Sequence, residues 1–134
     1  MSSEKPLMEL IESLGHSFDG ILNIVKAIGN EKRLQILVTL LTGAKSFDTL
    51  KKETALKKTA LSNHLKILLQ QGLIKKPEHG KYQPTHDGNL FIRTIEYAYT
   101  KSNSWKKNQT KSLQTRQFSD PFIEAIFAGK RSFT

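Results

Sequence analysis

The sequence contains no cysteine. Disulfides, thiolate zinc sites, cysteine nucleophiles and thiol-based redox sensing are thereby excluded. Long apolar runs are missing too. Even the stretch Leu34 to Leu41 is interrupted by Gln35 and Thr39, so nothing approaches the roughly 20 apolar residues of a membrane span. The first ten residues carry Glu4 and Glu9 and no short apolar run ending in small residues. No signal peptide is expected, and the cytoplasm is the expected location. The four histidines, His16, His64, His79 and His86, are scattered, and no two stand three or four residues apart. No metal and no cofactor is expected on that pattern. A P-loop and a Gly-flanked serine are both lacking, and an enzyme is not expected.

Acidic residues are sparse where basic ones are dense. Residues 1–50 hold 5 basic and 6 acidic side chains, whereas residues 51–134 hold 16 basic and 6 acidic ones, net −1 against net +10. A neutral first part joined to a cationic second part points to an anionic partner, with double-stranded nucleic acid the first candidate. Surface lysines that merely keep a protein dissolved are the plain alternative. The total of 134 residues, 37% of them hydrophobic and 25% charged, suits one globular core with tails.

Apolar spacing predicts a mainly helical chain. Leu7, Leu10, Ile11 and Leu14 make one helical face, with Gly15 as its stop. Ile21, Ile24, Val25 and Ile28 repeat the pattern in a second helix that Gly29 ends. Asn30 is an N-cap for a third helix, apolar on more than one face and therefore central, with Gly43 as terminator. Ser46 caps a short fourth helix ending near Thr54 or Ala55.

The helix expected over Lys57 to Gln71 is the most informative. With Leu61 at zero on a helical wheel, Leu65, Leu68 and Leu69 fall within about 80° and form a core stripe. Thr59, Ser62, Asn63, Lys66 and Gln70 fall between about 100° and 200°. That arc is short-chained, polar and cationic, and no carboxylate occurs from Lys57 to Gln71. His64 lies on the shoulder at about 300°. After Gly72, the segments Leu73 to Pro77 and Lys81 to Pro84 read as a short hairpin around Gly80. Thr85 caps a further helix. A break or a frayed, exposed stretch is expected around Asn103 to Thr110, and a last helix follows Ser119, Asp120 and Pro121.

A short helix, a tight turn and a helix with a polar face are the parts of a helix-turn-helix. The second helix of such a pair enters a major groove about 12 Å wide. Thr59, Ser62, Asn63 and Lys66 are the residue types that entry requires, with Lys57 and Lys58 on phosphate. His79, Lys81 and Tyr82 on the hairpin would add contacts.

Residues 25–100 resemble the ArsR/SmtB-type winged-helix regulators. The run from Lys26 to Leu37, with Arg33-Leu34 and Ile36-Leu37, resembles that family's opening A-L-x-x-x-x-R-L-x-I-L. Ser62-Asn63-His64-Leu65-Lys66-Ile67-Leu68 resembles its recognition helix, S-x-H-L-x-x-L. Gly72-Leu73-Ile74 matches the exit, and Gly80-Lys81-Tyr82, Pro84-Thr85 and Gly88 resemble the wing and the start of the next helix. The resemblance implies a winged helix-turn-helix with helical dimerisation elements at both ends. It implies a homodimeric DNA-binding repressor on a palindromic operator, with Ser62, Asn63 and His64 at or near the groove. Residues 1–20 would serve dimerisation, residues 21–100 would be the winged helix, and residues 101–134 a basic segment with a C-terminal helix. The departure concerns sensing. Where metal-sensing members carry cysteine, this chain reads Lys45-Ser46-Phe47-Asp48-Thr49-Leu50. That leaves a small organic effector, a protein partner or no effector. An architectural, non-specific nucleic-acid binder remains the alternative function.

Overall fold

The computed structural model describes residues 4–76 and 80–108. The elements in chain order are α1 (Leu7–His16), α2 (Phe18–Ile28), α3 (Glu31–Leu40), β1 (Lys45–Ser46), α4 (Phe47–Thr54), α5 (Lys58–Gln70), β2 (Ile74–Lys75), β3 (Lys81–Pro84), α6 (His86–Thr100) and α7 (Asn103–Asn108). Three of the helix starts are fixed by the expected caps. The Asn30 side chain accepts from the Arg33 amide at 3.1 Å, Ser46 Oγ from Thr49 at 3.1 Å, and Thr85 Oγ1 from Gly88 at 3.0 Å. Each satisfies a first-turn N–H that has no partner inside its helix.

α3 is the centre of the domain, as its two-sided apolar pattern requires. It packs against α2, α4, α5, α6 and β3. Its Ile36, Leu37 and Leu40 are buried together with Leu50 of α4, Leu61, Leu65 and Leu68 of α5, Leu73, Ile74, Tyr82 and Ile92. Truncating one of these leucines to alanine costs about 2–5 kcal/mol. The sheet is antiparallel in the order β1-β3-β2, with Lys45 opposite Tyr82, Ser46 opposite Lys81, Ile74 opposite Pro84 and Lys75 opposite Gln83.

Several expectations need correction. The hairpin is joined by a third strand, β1, whose two residues are too few to show an alternating pattern. α1 runs through Gly15 to His16 and ends at Ser17, and Gly15 does not take the positive φ of a helix-ending glycine. In place of a break, the short helix α7 begins at Asn103, started by Ser102, whose Oγ accepts from the Trp105 amide at 3.4 Å, and residues 103–107 are exposed, as the other expectation for this stretch had it. The helix expected after Ser119 lies outside the described residues. No helix among the described residues is long and apolar enough to cross a membrane.

Candidate nucleic-acid interface

α4 and α5 form a helix-turn-helix. Ala55 adopts the left-handed conformation that ends α4, at φ 58° and ψ 30°. An alanine there is strained by about 1–2 kcal/mol, which the packing of α4, Leu56 and α5 must offset. Lys32 Nζ donates to the Thr54 carbonyl at 3.1 Å and so closes the free end of α4. Half-buried Leu56 packs on the core and sets the turn.

α5 has two opposite faces. Leu61, Leu65 and Leu68 are fully or almost fully buried. Thr59, Ser62, Asn63, Lys66 and Gln70 are exposed. Leu69, expected in the core stripe, is 37% exposed, because about 80° from the stripe centre is already the edge of the buried arc. The first turn carries no acidic residue, the Lys57 cap makes no side-chain hydrogen bond, and both Lys57 and Lys58 are exposed. Free N–H groups, the positive end of the helix dipole and two ammonium groups therefore meet at one end of α5, a setting that favours phosphate.

His64 is half-buried on the shoulder of α5. Its Nδ1 lies 3.2 Å from an Arg33 guanidinium nitrogen. Burial and the cations of Arg33 and Lys32 hold its pKa below the ordinary histidine value. Arg33 also donates from Nε to the Ala27 carbonyl at 2.7 Å and from Nη2 to the Lys26 carbonyl at 3.2 Å, both in the last turn of α2. Arg33 is thus a cap on the C-terminal carbonyls of α2. Spacing along one helix says nothing about a carbonyl on the preceding one, so neither this role nor that of Lys32 was readable.

The hairpin places Lys81 outward, and Lys75 and Lys76 are exposed beside it. Tyr82 is a correction. It was expected to contact a partner, but it is only 8% exposed and belongs to the core. Alternation along β3 decides this, since an outward Lys81 turns Tyr82 inward. Lys76 Nζ sits 5.4 Å from the centre of its ring. Lys45, on the neighbouring strand, is paired with Glu53 at 3.7 Å. His79 lies outside the described residues. Among the described residues, no group of three His, Asp or Glu side chains is placed to hold a metal ion.

Residues 30–76 match the model of the bacterial regulatory protein family arsR. That span runs from the Asn30 cap through α5 to Lys76 and contains the whole helix-turn-helix. Over that span, about a third of the chain, the sequence is similar to the arsR family. The matched family is one of bacterial regulatory proteins. Among solved structures, reduced HlyU from Vibrio cholerae is 27% identical with a TM-score of 0.58, over 66% of this chain and 97% of that one. The transcriptional repressor BigR from Xylella fastidiosa, 19% identical with a TM-score of 0.55 over 69% of this chain and 97% of that one, shares the fold. So does a homodimeric winged helix-turn-helix domain from Mycobacterium bovis, 23% identical with a TM-score of 0.54 over 75% of this chain and 92% of that one. No curated protein matches the chain. α5 and the β2–β3 hairpin are the segments that the sequence resemblance marks as recognition helix and wing.

Proposed function

We propose that the chain is a homodimeric transcriptional repressor that reads a palindromic operator with α5. The observation that carries this reading is the outer face of α5: Thr59, Ser62, Asn63 and Lys66 are open to solvent on a helix without a carboxylate. Ser62 and Asn63 read base edges, with Thr59 and His64 beside them. Lys57, Lys58 and Lys66 contact phosphate, and Lys81 and His79 extend those contacts along the wing. Phosphate contacts fix register, while base contacts carry specificity.

Dimerisation is supported by what the single chain leaves uncovered. α1 has no buried residue, yet it presents Leu7, Leu10, Ile11 and Leu14. An isolated helix of 10 residues is marginal in water, so its apolar face needs a cover. A groove of about 920 Å³ between α2 and α6, lined by Ile21, Ile24, Val25, Phe91 and Ile95, is also open. The Mycobacterium bovis neighbour is described as homodimeric and the Xylella fastidiosa neighbour as a repressor. A two-fold dimer sets half-sites one helical turn apart, about 34–36 Å.

Selection of bound sites from a random DNA pool tests this directly. The expected product is a palindrome with that spacing. Ser62→Ala with Asn63→Ala should weaken the selected site much more than random duplex. Equal affinity of the unaltered protein for both duplexes would replace the repressor by the architectural binder.

A further inference from the structure

We infer that Arg33 is a positioning residue for the DNA-reading face: by donating to Nδ1 of His64 it fixes the imidazole as the Nε2–H tautomer, and so supplies α5 with a hydrogen-bond donor for an acceptor on the duplex. This rests on the DNA-binding reading above and adds to it a residue that touches no DNA.

The argument begins with what each group can do. A guanidinium has only donors. Its contact with His64, 3.2 Å from Nη1 to Nδ1, therefore requires a lone pair on Nδ1. A neutral imidazole with a bare Nδ1 carries its proton on Nε2. Nε2 makes no hydrogen bond to the described residues, and the ring is half-buried rather than enclosed. On α5 the half-buried His64 lies about 100° round the helix from exposed Asn63. The donor is thus left free at the edge of the surface that meets DNA. Its acceptors there are phosphate oxygens, purine N7, guanine O6 or thymine O4.

Arg33 is itself rigidly placed. Nε and Nη2 are spent on the carbonyls of Ala27 and Lys26, which leaves Nη1 aimed at His64. A planar fork can hold three acceptors at fixed angles, whereas a lysine ammonium on a flexible stem cannot reproduce that geometry. Protonated His64 would set an N–H against the guanidinium and place two cations side by side, so the contact belongs to the neutral ring. Burial together with Arg33 and Lys32 keeps the ring neutral near pH 7. The end of α2 is in this way tied through one side chain to the recognition helix.

The test uses the full chain. Long-range proton–nitrogen NMR of the free protein at pH 7.5 should show His64 protonated at Nε2 and bare at Nδ1. A ring protonated at Nδ1 overturns the inference without any DNA measurement. Binding to the selected operator is then compared for His64→Ala, Arg33→Lys and the double variant, at a temperature where each is folded by circular dichroism. Each single change should weaken binding about tenfold, the scale of one hydrogen bond, and the double should be no weaker than either. Independent, multiplying losses overturn the coupling. His64→Gln keeps an N–H donor and should retain most of the affinity. If it binds as poorly as His64→Ala, the donor role is wrong, and this arm stands even if Arg33→Lys does not fold. Loss confined to one base position identifies a base acceptor, and loss on all sequences identifies phosphate. A protein with the expected tautomer that binds no duplex would sink the DNA-reading proposal, this inference included, while leaving the Arg33–His64 contact itself intact.

Discussion

Gly88 in the first turn of α6 lies so close to Leu73 that any Cβ at that position would overlap the Leu73 carbonyl oxygen. The neighbouring Thr85 closes the same joint. Its amide donates to the Leu73 carbonyl at 3.1 Å and its hydroxyl to the Gly72 carbonyl at 2.6 Å. Gly72 follows the C-cap of α5, so α6 is anchored on the exit of α5. Gly88→Ala must push α6 off this seat. The expected cost is about 1–3 kcal/mol, the range for forced overpacking, measured by denaturant unfolding. An unchanged midpoint would show that the helix is not seated there.

Tyr82 separates a core role from a DNA role on the wing. Its ring is buried, so Tyr82→Ala should lower stability by about 3–5 kcal/mol, as for other large aromatic truncations. Tyr82→Phe keeps the ring and should leave operator affinity within about twofold. A large loss of binding in a fully stable Tyr82→Phe protein would return this residue to the DNA-contact set.

The cations divide in the same way. Lys66 is exposed with no acidic partner among the described residues, whereas Lys45 is spent on Glu53. Lys66→Gln should reduce the slope of log affinity against log salt by about 0.9, the release from one phosphate. Lys45→Gln should leave the slope unchanged. Equal slopes in all three proteins would remove Lys66 from the phosphate contacts.

The helices and their caps were legible because they are local. Asn30, Ser46 and Thr85 each sit three residues before the amide they accept from, and the α5 wheel separated Leu61, Leu65 and Leu68 from Ser62 and Asn63 by angle alone. What was not legible depends on contacts between distant segments. β1 exists only by pairing with β3, some 36 residues later in the chain. Arg33 is decided by carbonyls on another helix, and Tyr82 by which face of a short strand the core happens to take. Gly88 stood out in the motif, yet its reason, the Leu73 carbonyl, appears only in three dimensions.

His64 gives stability a pH dependence with a definite sign. Its folded pKa lies below the unfolded value near 6.5. Above that value both states are neutral and the residue contributes no slope. As pH falls through about 6.5 the unfolded chain takes up the proton first, so stability declines until the lower folded pKa is passed. Unfolding free energies at pH 7.5 and 5.5 should therefore differ less in His64→Gln than in the unaltered protein. An equal difference in both would mean that the ring is not held neutral by burial together with Arg33 and Lys32.

The uncovered helix α1 allows the dimer to be tested apart from the DNA. Leu10 and Leu14 lie on one face of α1 and are 42% and 45% exposed, and no residue of α1 is buried. Replacing both by Asp therefore removes nothing from the core of the single chain, and its secondary structure should survive. In a dimer sealed by this face, two carboxylates per chain would be forced into apolar contact, at a cost of several kcal/mol for each unpaired charge. Sedimentation equilibrium should then report a monomer for Leu10→Asp/Leu14→Asp and a dimer for the unaltered protein. Operator binding should fall steeply, while binding to an isolated half-site, weak in both, should change little. A double variant that stays dimeric would move the two-fold contact away from α1, to the open groove between α2 and α6.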